Sequence, residues 1–176
     1  DAREYAAAVP AHFRFTIKAP NSITLTHHYR KDKAKPLTEN PHFLSNELYA
    51  EFLGRIEPLL DKTAVVMLQF EYLNRQKMAS KKEFLDRLAA FLEARPKTPE
   101  LAIECRNPNY LDADYFDCLK EHGVYHVFCQ GYYMPPVWEV EAKYGGLLTD
   151  LAVVRLMGTD RKGIEAASND SWDRIV

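Results

Sequence analysis

The sequence has no paired cysteines, no excess of charge and no long apolar run, and each shortfall closes off a class of function. Its three cysteines, Cys105, Cys118 and Cys129, are odd in number and lack a C-x-x-C spacing. They read as reduced thiols of a cytoplasmic protein, not as a disulfide framework. Lys and Arg number 23 against 25 Asp and Glu, a formal net charge of -2. That balance excludes a generic nucleic-acid wrapper and leaves room for a local basic patch. No apolar run approaches the roughly 18 residues of a membrane span, and no secretory apolar region opens the sequence as given. No G-x-G-x-x-G fingerprint follows a strand-like run, and no Cys/His cluster occurs, so neither a cofactor nor a metal is expected.

What is present is the composition of a folded domain. Hydrophobic residues make up 47% and charged residues 27% of 176 residues, enough for one domain with an ordinary core. Short β-branched or aromatic runs at 13–18, 64–70, 101–106, 124–128 and 151–157 predict strands. Amphipathic stretches alternate with them. Leu44, Leu48, Phe52, Ile56 and Leu60 step by four, and Phe84, Leu85, Leu88, Phe91 and Leu92 form one helix face. Ser80 with Glu83 is a capping-box pattern that starts a helix at about Lys81, and Arg95-Pro96 ends it. Asp112 is placed to cap the next helix and Gly123 to stop it. The opening residues 1–9 read as the end of a helix.

Strands separated by helices imply parallel pairing through right-handed crossovers. Five strands suit either an open doubly wound sheet or five-eighths of a (β/α)₈ barrel. Side chains alternate along a strand. Phe13, Phe15 and Ile17 therefore share one face of the first strand, opposite Arg14, Thr16 and Lys18. Ile103 and Cys105 lie under helices, and Ala102, Glu104 and Arg106 point the other way. Gln69 follows Val65 and Met67 in phase, and Arg155 follows Leu151 and Val153. Lys18, Gln69, Glu104, Arg106 and Arg155 thus gather at the carboxyl ends of the strands, where parallel α/β folds build their sites. Three cations face one carboxylate, so an anionic ligand is the simplest way to balance the mouth. The alternative is a closed ion-pair network with Glu104 bridging Arg106 and Arg155.

At these residues the sequence resembles the YecE-like family, a domain of unknown function numbered seventy-two in its series. The resemblance runs from about Phe13 to Ile164. It is carried by Phe13-Arg14-Phe15-Thr16-Ile17-Lys18, Ile23-Thr24-Leu25-Thr26-His27, Leu68-Gln69, Glu104-Cys105-Arg106-Asn107-Pro108 and Val154-Arg155-Leu156-Met157-Gly158. The resemblance implies a TIM-barrel-like parallel (β/α) barrel, incomplete here with about five strands. The chain is accordingly expected to be a single barrel domain over 1–176, truncated at both ends. The family supplies no established activity. Three departures stand out: Phe70-Glu71 after Gln69 where Pro is usual, Met157 where His is usual, and Tyr110 where Trp is frequent.

The expected function is a basic pocket for a small phosphorylated or carboxylated molecule, with hydrolase or lyase chemistry as the reaction class. Glu104 and His27 are the candidate catalytic groups. Lys18, Gln69, Arg106, Arg155, Gln130 and Tyr132 are the candidate substrate contacts. The second expectation is a non-enzymatic module for single-stranded nucleic acid or a protein partner. It would use the basic loop Arg30, Lys31, Lys33 and Lys35 with the aromatic run Tyr132-Tyr133-Met134-Pro135-Pro136-Val137-Trp138. The oligomeric state is left open.

Overall fold

The computed structural model describes residues 1–30, 32, 34, 36–131, 133–158 and 161–168. In chain order its elements are α1 (Ala2–Ala8), β1 (Phe15–Lys18), α2 (Asn21–Thr24), α3 (Asn46–Arg55), β2 (Thr63–Gln69) and α4 (Lys81–Ala94). They continue with β3 (Leu101–Glu104), α5 (Ala113–Glu121), β4 (Tyr125–Gln130), α6 (Val137–Tyr144), β5 (Val153–Leu156) and α7 (Arg161–Ser168).

All neighbouring strands pair in parallel in the order β1-β2-β3-β4-β5, a curled half-barrel with helices on its convex side. Consecutive strands lying side by side without reversal of order mark the barrel winding rather than the doubly wound sheet. The sheet separates two apolar groups. The larger lies between strands and helices and contains Leu68, Phe70, Phe84, Leu88, Phe91, Ile103, Tyr115 and Phe116. The smaller is the barrel interior, where Val65, Met67, Ala102 and Val127 are buried with Val153 packed against them. Each polar mouth residue continues the inner face of its strand by one period.

Local chemistry sets the helix ends. Ser80 accepts from the Glu83 amide at 3.1 Å and Asp112 from the Tyr115 amide at 3.3 Å, satisfying first-turn donors of α4 and α5. Gly123 after α5 takes φ 60, the left-handed conformation of a helix stop. The step-of-four pattern from Leu44 to Leu60 overstates α3. Leu44 has φ 55 and cannot be helical, Ser45 caps Asn46–Arg55, and Pro58 lies in a tighter 3₁₀ segment, Glu57–Lys62. The strands are also trimmed or shifted: Phe13 falls before β1, and β3 stops at Glu104 so that Arg106 projects from the following loop.

Candidate functional site

The register brings the mouth residues together. Gln69 lies beside Glu104 across β2 and β3, Cys129 beside Arg155 across β4 and β5, and Lys18 beside Met67 across β1 and β2. Glu104 is fully buried, and three donors converge on its carboxylate. Gln69 Nε2 donates to Oε1 at 2.8 Å, Arg106 Nε to Oε1 at 2.7 Å, and Arg155 Nη1 to Oε2. Burial raises the Glu104 pKa, but the hydrogen bonds from Arg155, Arg106 and Gln69 together outweigh it and hold the carboxyl below its ordinary value. Glu104 is therefore ionised at neutral pH and its oxygens are engaged. That geometry suits positioning of two guanidinium groups better than donation of a proton.

Lys18 reaches the same mouth without joining this carboxylate. Its ammonium donates to Asn21 Oδ1 at 2.7 Å and to the Ala19 carbonyl at 3.4 Å. Partial burial of this otherwise exposed side chain lowers its pKa; Glu104 opposes that, and the like charges of Arg155 and Arg106 add to it. Among the described residues, one carboxylate and three cations therefore share a single electrostatic neighbourhood. Cys129 lies on the same inner face. Burial first, and the Glu104 charge next, push its thiol up to about 12, so it is no nucleophile at neutral pH.

Two further expected residues, His27 and Gln130, stand elsewhere. His27 shares a hydrogen bond with Thr26 Oγ1 at 3.0 Å and bridges Glu39 through the backbone. It lines a cleft of about 250 Å³ with His28, Arg30, Glu71 and Lys77, apart from the donors on Glu104. Gln130 uses its side-chain carbonyl to accept from the Val137 amide at 3.1 Å and so serves the start of α6. Tyr132, Lys31, Lys33 and Lys35 lie outside the described residues.

Several site-forming contacts carry no sequence signal of their own. Asn107 grips Leu73 with both ends of its amide, accepting from the Leu73 amide at 2.8 Å and donating to its carbonyl at 3.0 Å. This fixes the loop after β2 against the loop after β3. Tyr72 and Tyr133, about half exposed, meet edge to face with ring centres 5.8 Å apart. With Pro108 and Asn109 they line an open cleft of about 650 Å³. His126 is buried on the helix side of the sheet and hydrogen-bonded through Nδ1 to the Tyr115 hydroxyl at 3.1 Å. His122 and His126 do make a His-x-x-x-His spacing. The pair is split because α5 ends at Glu121, and His122 turns its Nδ1 to the Cys118 carbonyl at 2.8 Å. Among the described residues no three His, Cys, Asp or Glu side chains group to hold a metal ion. No helix among them is long and apolar enough to cross a membrane.

A family model described as "Protein of unknown function DUF72" matches residues 1–176. No curated protein matches the chain. Two solved structures of DUF72 family proteins are similar in fold. One, from Thermotoga maritima, has a TM-score of 0.60 and 22% identity over 98% of this chain and 60% of its own. The other, from Enterococcus faecalis, has a TM-score of 0.60 and 21% identity over 92% of this chain and 61% of its own. The chain thus spans about three-fifths of the length of these two structures.

Proposed function

This chain belongs to the DUF72 family, and we propose that the polar mouth of its half-barrel binds a small anion, a phosphorylated or carboxylated molecule. The observation that carries the reading is the imbalance at the mouth: Lys18, Arg106 and Arg155 surround Glu104, the one carboxylate there among the described residues, and Lys18 is held by a neutral partner. Glu104 takes one N–H of each guanidinium, Met157 Sδ accepts a second from Arg106 Nη2 at 3.9 Å, and the remaining donors of both groups are left for a ligand. Phosphate and carboxylate are the ions such a fork matches best. Hydrolysis or elimination is the reaction class that suits the site, because the cations would stabilise charge developing on a leaving oxygen. In that reading Glu104 positions Arg106 and Arg155, and His27 is the candidate proton carrier from the neighbouring cleft.

A second reading is favoured by one contact set: Gln69, Arg106 and Arg155 already satisfy Glu104, so the mouth is a closed structural network. Thermal unfolding in the presence of phosphorylated sugars, dicarboxylates and short oligonucleotides separates the readings. A ligand at about 100 times its Kd adds roughly 2.7 kcal/mol, a shift of a few degrees for a chain of this size. Anion binding predicts a shift from at least one small anion that Arg155→Lys weakens. A shift from oligonucleotides alone, falling steeply with salt, identifies a nucleic-acid module instead. No shift from any of them leaves the structural network.

A further inference from the structure

We infer that Tyr72 and Tyr133 form a ring-binding subsite beside the mouth, so that the anion carries a flat aromatic group. This rests on the anion-binding reading above and narrows its substrate class. The cleft beside the two tyrosines is built from three successive strand ends. Tyr72 follows β2, Pro108 and Asn109 follow β3, and Tyr133 follows β4. Arg106 stands two residues before Pro108 in the same loop, and its charge reaches Tyr133: burial raises that phenol's pKa and Arg106 works against the rise. A guanidinium donor therefore stands two residues along the chain from the wall of the cleft that Tyr72 and Tyr133 line.

Two features make the cleft a prepared site and not a chance juxtaposition of exposed rings. The tyrosines pack edge to face at 81°, so each ring braces the other, and both line the cleft while staying about half exposed. The loop bearing Tyr72 is also fixed. Asn107 holds the adjacent Leu73 through two hydrogen bonds, at 2.8 and 3.0 Å, and both Asn107 and Leu73 are buried. The volume of about 650 Å³ accommodates a ring larger than benzene, and ligand sites of this size commonly combine apolar walls with a few polar anchors. The ligand chemistry is thus a planar ring joined to a phosphate or carboxylate, which a nucleoside monophosphate and a simple aryl phosphate both satisfy.

Calorimetric titration of the 176-residue chain with inorganic phosphate, cyclohexyl phosphate, phenyl phosphate and adenosine monophosphate tests this. A planar ring is expected to bind about tenfold tighter than cyclohexyl phosphate of equal charge. Tyr72→Ala and Tyr133→Ala should each erase that advantage and leave inorganic phosphate unchanged. Both side chains are half exposed, so these variants keep the fold; circular dichroism checks that. Adenosine monophosphate binding more tightly than phenyl phosphate assigns a nucleotide, and the reverse assigns a compact aryl acid. Equal affinity for phenyl and cyclohexyl phosphate overturns the ring subsite while leaving the anion site. Ring-dependent binding that Arg155→Lys and Arg106→Lys do not weaken overturns the coupling of ring to anion. Binding by none of the four overturns both.

Discussion

Lys18 donates to Asn21 at 2.7 Å and not to Glu104, although both belong to the mouth. This partnership decides how the charges of the site are paired, not their sum. Were Lys18 bonded to the carboxylate, Glu104 would serve three cations and the mouth would be a knot of mutual ion pairs. Because an amide oxygen holds Lys18, the ammonium has no ion-pair partner among the described residues, and it faces a mouth that already has, among them, one guanidinium in excess of its carboxylate. A ligand bearing negative charge would relieve that repulsion; the lowered pKa of Lys18 comes first from its partial burial, with Glu104 opposing and the two guanidinium groups adding to it.

Glu104 is the structural keystone of the mouth, and its removal should destabilise the fold in a pH-dependent way. Glu104→Gln is expected to cost about 2 kcal/mol near pH 7, discounted because Arg106 and Arg155 are 31% and 35% exposed. The folded carboxyl has a lowered pKa, so its stabilisation is present above the unfolded value of about 4.5 and is lost as pH falls through the folded value. Urea denaturation should show the wild type losing its advantage over the variant only below about pH 4.5. A constant difference down to pH 3 would contradict the assignment.

His126 should make the fold sensitive to mild acid. Burial holds its ring at about 3, far below the ordinary 6.5, so the folded state keeps it neutral while the unfolded chain takes up a proton. Stability therefore falls with pH from about 6.5 downward, by roughly 1.4 kcal/mol per pH unit. His126→Phe keeps a ring against Phe116 and Phe128 and removes the titration. The stability gap between wild type and variant should move by about 2 kcal/mol between pH 6 and pH 4, in favour of the variant at pH 4. A gap independent of pH would show that His126 is protonated in the fold.

Gly131 sits where the loops after β4 and β5 meet. Its φ is 123, and an ideal Cβ there would lie 2.0 Å from the Gly158 carbonyl oxygen. Gly131→Ala should cost more than about 2 kcal/mol, from backbone strain and from displacement of the Gly158 loop. Chemical denaturation would measure it. A cost below about 0.5 kcal/mol would mean that the two loops do not hold this approach.

The thiols should react in a fixed order. Cys105 and Cys129 are buried and their pKa values are pushed up to about 12, first by burial. Cys118 is also raised by burial but is only half-buried, so it should be the thiol that a neutral disulfide reagent labels in the folded chain. Mass spectrometry of timed labelling should find Cys105 and Cys129 modified only as fast as the chain unfolds. Rapid labelling of Cys129 would place it on an open surface.

The barrel interior was legible because a strand has a period of two. Val65, Met67 and Gln69 lie on one side whatever the tertiary structure, and so do Ala102, Glu104 and Val153 with Arg155. Parallel pairing then carries the polar ends to one rim. Helix α3 was legible only in its middle, since Leu44 and Leu60 continue the step of four in sequence while the Ser45 cap and Pro58 end the helix. The partners beyond the strands were not legible. Gln130 serves as a cap for α6 and His27 lines a separate cleft, because loop geometry depends on contacts no local pattern encodes. The Asn107–Leu73 clamp joins segments one helix-strand unit apart, and the Tyr72–Tyr133 pair joins segments two such units apart. Spacing alone offers no way to foresee them.

The most direct test of the anion site is the phosphate-induced shift in Tm of the wild type and of Lys18→Met. Lys18 is exposed, so its removal leaves the Glu104 network and the fold in place. The mouth described here predicts a clear upward shift for the wild type with saturating phosphate, and a shift at least halved in the variant. Equal shifts in the two proteins, or none in the wild type, would show that the excess charge at the mouth does not bind an anion.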